Sequence, residues 1–231
     1  QIPLLVISAD RPPHKIDIGD GQTIRQDQVL AQHCVFSTTL AEGASYANDQ
    51  LIYRAIESAR QLSGPVHLNA PFEEPLYEWE DSYHTPISLP KPVALPRPAG
   101  QTAFTAEQVQ LWQNAAKKIV LIGSQAPHTI HPQILDQLKA DPNLLVLSEI
   151  TSNTADEAFF NHIDVLITAM NAQEQAEFTP TILVTIGGMV VSKRIKALFR
   201  ANPPQEHWHI DPLRAYDTFG HLTAHIVQTA N

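Results

Sequence analysis

The chain has 231 residues, 43% of them hydrophobic and 17% charged, a composition typical of a globular protein with one or two domains. Its formal net charge is -9 with only 15 lysines and arginines, which excludes a broad basic face for nucleic acid but not a local basic pocket. Cys34 is the only cysteine, so a disulfide framework or a thiolate metal cluster within one chain is excluded.

The first apolar run, residues 2–9, is continuous in Ile, Leu and Val and predicts a buried central strand of a parallel sheet. A central strand as the first element needs neighbours made by preceding sequence, so we expect the chain to be a fragment of a longer protein. No run approaches the roughly 18 apolar residues of a membrane span, and no secretory signal pattern is present. These features predict a cytoplasmic protein without a membrane partner.

The next elements are a short strand at residues 33–40, a helix at 45–62 that ends at Gly64, and a strand at 65–71 bounded by prolines. This β–loop–β–α–β pattern is too short for a complete doubly wound domain. Residues 73–103 hold six prolines and little periodicity, which indicates an extended interdomain linker. A long loop wrapped on one domain is the alternative, although structureless loops of this length are uncommon.

From Thr105 onward, helical and strand patterns alternate. Thr105 with Gln108 predicts a capping box, and Ser192 predicts a helix N-cap. The alternation favours a parallel sheet with helices on both faces, a Rossmann-like α/β domain. Helices are predicted at 105–116, 131–141, 159–170 and 192–200, and strands at 118–123, 143–149, 181–188, 206–212 and 222–227.

A dinucleotide site is not predicted, because the glycines at 123 and at 187–188 lack the spacing of the Gly-x-Gly-x-x-Gly motif. The segment GGMVVSKR, residues 187–194, nevertheless joins a strand to a helix, where backbone N–H groups favour anions. Lys193 and Arg194 add two cations in the first turn. They are either solvated charges or a clamp for a carboxylate or phosphate at the carboxyl edge of the sheet.

Two further patterns suggest metal sites only weakly. His207 and His209 share one strand face, and we interpret them as half-buried residues at the core edge rather than zinc ligands. The Gly-Asp-Gly at 19–21 followed by Asn48 roughly matches the spacing of the motif that holds Mg²⁺ and diphosphate in thiamine diphosphate enzymes. The motif needs a strand before it and a helix after it, and neither is predicted here. We therefore interpret these residues as a turn and predict no metal.

Several stretches together resemble one known family. They are ISADRPP at 7–13, GQTIRQ at 21–26, GPVHLNAPFEEPLYE at 64–78, TIGGMVVSKRIKALFR at 185–200 and HWHIDP at 207–212. The chain resembles the menaquinone-pathway synthases that make 2-succinyl-5-enolpyruvyl-6-hydroxy-3-cyclohexene-1-carboxylate from isochorismate and 2-oxoglutarate with thiamine diphosphate.

The resemblance implies a domain assignment. Residues 1–98 would be the later part of a thiamine-diphosphate pyrimidine-binding domain plus the linker, and residues 99–231 the central Rossmann-like domain. The diphosphate-binding domain and the family's catalytic glutamate would lie outside this chain. Thiamine diphosphate and Mg²⁺ would then belong to the full-length enzyme, and this chain alone would bind neither and be inactive.

The resemblance also implies roles for individual residues. Gln22 would be catalytic, hydrogen-bonding substrate or intermediate near the reactive thiazolium of the cofactor. Arg11 would bind a substrate carboxylate, and Lys193 and Arg194 would be the basic pair at the substrate pocket. Arg25 would support the loop more than contact the ligand itself. Cofactor-binding residues within the chain are not identified.

The implied chemistry is decarboxylation of 2-oxoglutarate on the cofactor, followed by 1,4-addition of the acyl anion equivalent to isochorismate, in a homo-oligomer whose active sites form between subunits. The partners are small polycarboxylates. Gly21 departs from the asparagine of some relatives, which removes one side-chain contact. Two alternatives stay open: another thiamine diphosphate enzyme resembling acetolactate synthase, and a non-catalytic ligand-binding or assembly module with the same fold.

Overall fold

The computed structural model describes residues 2–73, 100, 102–154 and 156–230. The chain divides into two compact units, Gln1–Pro96 and Arg97–Asn231. Most of the predicted linker lies outside the described residues, and the domain boundary at 98/99 stays a prediction. Among the described residues, no helix combines the length and the hydropathy needed to cross a membrane.

In the first unit, the described residues 2–73 form a three-stranded parallel sheet with one α-helix. Its strands are β1 (Leu4–Asp10), β2 (Phe36–Thr39) and β3 (Pro65–Pro71), in the order β1-β3-β2, and its helix is α1 (Tyr46–Leu62). The Ser45 hydroxyl caps α1 by accepting from the Asn48 N–H. The helix ends one residue before the predicted Gly64, at Ser63, which adopts the left-handed conformation (φ 45°).

The two faces of this sheet differ in chemistry. On one face, Val66 and Leu68 of β3 pack against Ala55 and Ala59 of α1. Since side chains alternate along a strand, His67 and Asn69 lie on the other face, and both are 1% exposed. One face is therefore an apolar helix–sheet core, and the other buries polar groups.

Among the described residues β1 is an edge strand; the second neighbour that a buried central place requires is not one of them, so that place stays a prediction. β3 takes the central position, and β1 pairs only with β3 among the described residues. Leu4 is 51% exposed and Ile7 is 64% exposed. A continuous apolar run indicates a strand but not its place in the sheet, because that place depends on which strands pair with it.

The second unit is a five-stranded, fully parallel sheet in the order β5-β4-β6-β7-β8. Its strands are β4 (Lys118–Ile122), β5 (Leu144–Ser148), β6 (Ile182–Ile186), β7 (Glu206–Ile210) and β8 (Ala224–Ile226). Its helices are α2 (Ala106–Asn114), α3 (Pro132–Ala140), α4 (Ile163–Ala169), α5 (Ala172–Phe178) and α6 (Lys193–Ala201).

Apolar cores lie on both faces of this sheet, as the alternating pattern predicts. Leu121 and Leu183 pack with Phe199 of α6 on one face, together with residues of α4. Val120 and Trp208 belong to the other core, against which α2 and α3 pack. The capping box of α2 and the Ser192 cap of α6 are also confirmed.

The helix predicted at 159–170 begins only at Ile163. The backbone before it pairs with β5, because Phe160 donates to the Val146 carbonyl and accepts from the Ser148 N–H. The chain then enters α5, which the sequence analysis did not predict and which begins with a capping box formed by Asn171 and Glu174.

His207 and His209 are fully buried, at 0% and 4% exposure, rather than half-buried at the core edge. They lie deep because β7 is flanked by β6 and β8. Thr185 Oγ1 lies 2.9 Å from His207 Nε2 and 2.8 Å from His209 Nδ1. The Thr185 hydroxyl thus bridges the two rings, and it also lies 3.5 Å from the Trp208 carbonyl oxygen. Burial, followed by the nearby His209, lowers the pKa of His207 to about 4.

Candidate functional site

The predicted site residues of the first unit lie on one long loop, residues 11–35, which leaves the carboxyl end of β1. Arg11 follows β1 directly and is partly buried, and its backbone N–H donates to Asp10 Oδ1 at 2.8 Å. Gln22 is exposed and adopts the left-handed conformation (φ 60°). Arg25 is 82% exposed and pairs with Asp17, with 3.1 Å between Nε and Oδ2.

The Gly-Asp-Gly segment of this loop is an exposed turn. Asp20 Oδ1 accepts the Gly21 N–H at 2.9 Å, and the Asp20 carbonyl accepts the Thr23 hydroxyl. The side chain of Asn48 is instead buried, and its amide bonds to the backbone of Ala41 and Gly43. The two candidate ligands therefore have other partners, and the described residues do not fit a Mg²⁺–diphosphate site.

Gln26 is a residue that the sequence analysis missed. Its side-chain nitrogen lies 3.0 Å from Ser8 Oγ, 2.8 Å from the Ala9 carbonyl and 2.6 Å from Asn69 Oδ1. The loop is thus attached to the polar face of the sheet. The signal in the sequence is the alternation of polar residues with apolar ones in β3, at His67 and Asn69.

In the second unit, Lys193 and Arg194 lie exposed on a cleft of about 780 Å³ at the start of α6. Glu149, at the carboxyl end of β5, and Asp164 of α4 line the same cleft. Two cations and two carboxylates therefore share this edge of the sheet. The basic pair lies at the strand-to-helix junction between β6 and α6, and its role in binding substrate stays a prediction.

The backbone donors at this junction already have an anionic partner. The Glu149 carboxylate accepts the N–H groups of Val191 at 2.7 Å and Ser192 at 2.6 Å. The Ser192 hydroxyl donates to Asp164 and accepts the Ile195 N–H at 3.1 Å. An external anion at this cleft would therefore be bound by the side chains of Lys193 and Arg194 rather than by the backbone.

Replacing Glu149 with glutamine is expected to lower the free energy of unfolding of this unit by about 2 kcal/mol, because two charge-assisted hydrogen bonds are lost or weakened. The amide can accept at one atom only, and its NH₂ group would face a backbone donor. Urea denaturation would measure the loss. Glu157→Gln, at an exposed carboxylate, is the control. Equal stability of both variants would contradict the assigned role of Glu149.

The strand order reverses between β4 and β6, the switch point where open α/β sheets commonly bind ligands. Here the two loops that follow these strands bind each other. Ser124 N–H donates to the Met189 carbonyl at 3.1 Å, and Gly188 N–H donates to the Ser124 carbonyl at 2.8 Å. A Cβ on Gly123 would lie only 2.2 Å from the Gly188 carbonyl oxygen. These glycines therefore allow close backbone packing.

No family model matches the chain. It is 48% identical over 225 residues to the 2-succinyl-5-enolpyruvyl-6-hydroxy-3-cyclohexene-1-carboxylate synthase of Flavobacterium psychrophilum, which covers 97% of this chain and 40% of that relative. The synthase of Flavobacterium johnsoniae is 47% identical over 235 residues (100% of this chain, 42% of the relative), and that of Christiangramia forsetii is 37% identical over 245 residues (94% and 42%).

The chain thus spans about two fifths of the length of the curated relatives it matches. The resemblance found in the sequence motifs extends over almost all of its residues. The chain is therefore a homologue, over nearly its whole length, of a segment of the 2-succinyl-5-enolpyruvyl-6-hydroxy-3-cyclohexene-1-carboxylate synthases.

Proposed function

We propose that the chain is part of a thiamine-diphosphate-dependent transferase of menaquinone biosynthesis that joins decarboxylated 2-oxoglutarate to isochorismate. The observation that carries the proposal is the identity of 47–48% to two such synthases over 97–100% of the chain. In this proposal, residues 1–98 are the later part of the pyrimidine-binding domain with the linker, and residues 99–231 are the central Rossmann-like domain. The complete protein works as a homo-oligomer.

The role of this chain is to bind the acidic substrates. Lys193 and Arg194 bind a carboxylate at the cleft, and Arg11 binds a second one beside β1. Gln22 hydrogen-bonds the reacting group, and Arg25 supports the loop through Asp17. In each unit these residues follow the carboxyl ends of parallel strands or lie beside them, where such sheets bind ligands, and this supports the assignment.

Asp20 and Asn48 already have other hydrogen-bond partners, so in this proposal they do not supply the ligands of Mg²⁺ and diphosphate. We therefore assign substrate binding, and no chemical step on thiamine diphosphate, to this chain. In this proposal the isolated chain is inactive, and thiamine diphosphate and Mg²⁺ are held by other parts of the full-length protein.

The test is a steady-state assay of the full-length protein that contains this chain, with isochorismate, 2-oxoglutarate, thiamine diphosphate and Mg²⁺. Lys193→Ala and Arg194→Ala are each expected to lower kcat/KM by about 100-fold, because the loss of a charge-assisted contact misplaces an acidic substrate. Arg60→Ala, at an exposed cation that forms a surface ion pair with Glu57, is the control and is expected to keep the wild-type rate.

Three outcomes are informative. Product formation with the expected losses supports the synthase and the basic pair together. A wild-type protein that binds isochorismate but forms no product would instead support the non-catalytic binding module. If the wild type is active and the Lys193→Ala and Arg194→Ala variants keep its kcat/KM, the site assignment is contradicted but the proposed activity is supported.

A further inference from the structure

The polar face of the first unit's sheet carries an ordered row of side chains. Ser8 of β1 and Thr39 of β2 are the direct register partners of Asn69 in β3, and Ser37 is the partner of His67 in the neighbouring row. We call these five residues the polar strip. Buried positions of a central strand are usually apolar, and polar groups placed there destabilise the fold unless they are hydrogen-bonded.

Within the strip, the strands bond to each other through their side chains. Ser8 Oγ lies 2.7 Å from His67 Nε2, and Ser37 Oγ lies 3.2 Å from His67 Nδ1. Asn69 Nδ2 donates to Asp10 Oδ2 at 2.7 Å. The side-chain oxygen of Asn69 accepts the Ser8 hydroxyl at 3.2 Å, and a second, closer donor at 2.6 Å comes from the loop.

Gln26 supplies the donor. Its single amide nitrogen, with two protons, lies within hydrogen-bond distance of Ser8 Oγ, the Ala9 carbonyl and Asn69 Oδ1, so it links β1 to β3. The adjacent Asp27 accepts the Thr39 hydroxyl at 2.6 Å, which links the loop to β2 as well. Two consecutive loop residues therefore contact all three strands.

The loop on either side of this attachment is conformationally strained. Asp17, Gln22 and Gln28 have φ values of 63°, 60° and 57°, in the left-handed region that non-glycine residues rarely adopt. This conformation is unfavourable for a residue that carries a Cβ, and it persists only where the surroundings fix it. The strip is the fixed structure to which this part of the loop is hydrogen-bonded.

We infer that Gln26 is a positioning residue, whose hydrogen bonds to the polar strip fix the loop conformation that presents Gln22 and Arg11 to substrate. This role rests on the proposed function, since it concerns the same loop. Gln26 does not touch substrate. It acts by holding Gln22, four residues before it, in the strained conformation described above.

The first experiment measures the attachment independently of catalysis, by hydrogen–deuterium exchange of the full-length protein. Gln26→Met keeps the side-chain length and removes both amide protons. Exchange of the backbone amides of residues 16–28 is expected to rise by about 10-fold or more, because the loop opens locally. Gln28→Met is the matched control, since the Gln28 amide makes only contacts of 3.4 Å. Unchanged exchange in Gln26→Met would overturn the inference.

Thr39→Val is a second variant for the case that Gln26→Met does not fold. It is nearly isosteric and removes the 2.6 Å bond to Asp27, together with a long contact of 3.5 Å from Asn69 Nδ2. A smaller increase in exchange over the same residues is expected, and no increase would overturn the attachment of the loop to the strip.

The second experiment separates positioning from simple stabilisation, by the KM for isochorismate and kcat of the same proteins. A misplaced Gln22 and Arg11 should raise KM and lower kcat together, with a loss of about 100-fold in kcat/KM. A merely structural role would reduce the active fraction and so lower kcat at unchanged KM, which would overturn the inference. An inactive wild type would overturn the proposed function and the positioning role with it. The exchange experiment would still test whether Gln26 attaches the loop to the polar strip.

Discussion

Replacing Gly123 with alanine is expected to lower the free energy of unfolding of the five-stranded unit by more than about 3 kcal/mol. The new Cβ would lie 2.2 Å from the carbonyl oxygen and 3.1 Å from the carbonyl carbon of Gly188. Both are backbone atoms, which no rotamer change can move away. The loops after β4 and β6 would have to separate, and the bonds from Ser124 to Met189 and from Gly188 to Ser124 would be weakened.

Urea denaturation followed by tryptophan fluorescence would measure this loss, since Trp112 and the buried Trp208 lie in this unit. The control is Gly21→Ala, because a Cβ at Gly21 meets nothing within 4 Å and its φ is not in the left-handed region. That variant is expected to change stability by less than about 1 kcal/mol. A Gly123→Ala protein as stable as this control would show that the two loops are not held in contact.

Lowering the pH from 7 to 4 is expected to destabilise the same unit by about 3 kcal/mol through His207. Burial lowers the pKa of its imidazole from 6.5 in the unfolded chain to about 4 in the folded one. Well above pH 6.5 the ring is neutral in both the folded and the unfolded state and contributes nothing to the pH dependence of stability. Between 6.5 and 4 the unfolded state binds the additional proton, so stability falls as the pH falls, and the loss is complete below about pH 4.

The titratable residues around His207 shift its pKa in opposite directions. His209 and His221 lower its pKa and Asp217 raises it, while burial is the largest cause. The pKa of His209 is lowered as well, again mainly by burial, and this adds to the acid sensitivity.

The measurement is the free energy of unfolding in urea at several pH values between 7 and 4. His207→Gln is expected to flatten this dependence, because the residue no longer titrates. His162→Gln, at an exposed histidine, is expected to keep the wild-type slope. Identical slopes in all three proteins would contradict the assignment of the acid sensitivity to His207.

Local sequence patterns were sufficient to predict much of the fold. The Thr105–Gln108 capping box and the Ser192 cap depend on bonds across three residues, and the structure contains both. Alternating strands and helices gave the parallel sheet of the second unit. The place of β1 at a sheet edge could not be read in this way, since the apolar run of an edge strand looks the same as that of a central one.

Only those residues of the candidate site that belong to a local sequence motif could be predicted. Lys193 and Arg194 follow a strand and begin a helix, so their position beside a cleft follows from sequence order. Glu149 lies more than 40 residues from the N–H groups that it accepts, and Gln26 lies 43 residues from Asn69. Such partners are identified only after strand pairing and loop placement are known.

The open position of β1 has a consequence for handling the protein. An edge strand with exposed aliphatic side chains, here Leu4, Leu5 and Ile7, is a template for strand pairing between molecules. The net charge of -9 keeps copies apart at neutral pH, but this repulsion vanishes near the isoelectric point of about 5.6 and is screened by salt. Aggregation during purification is therefore favoured by mildly acidic, high-salt buffers, and dilute buffers near pH 8 keep the chain dispersed.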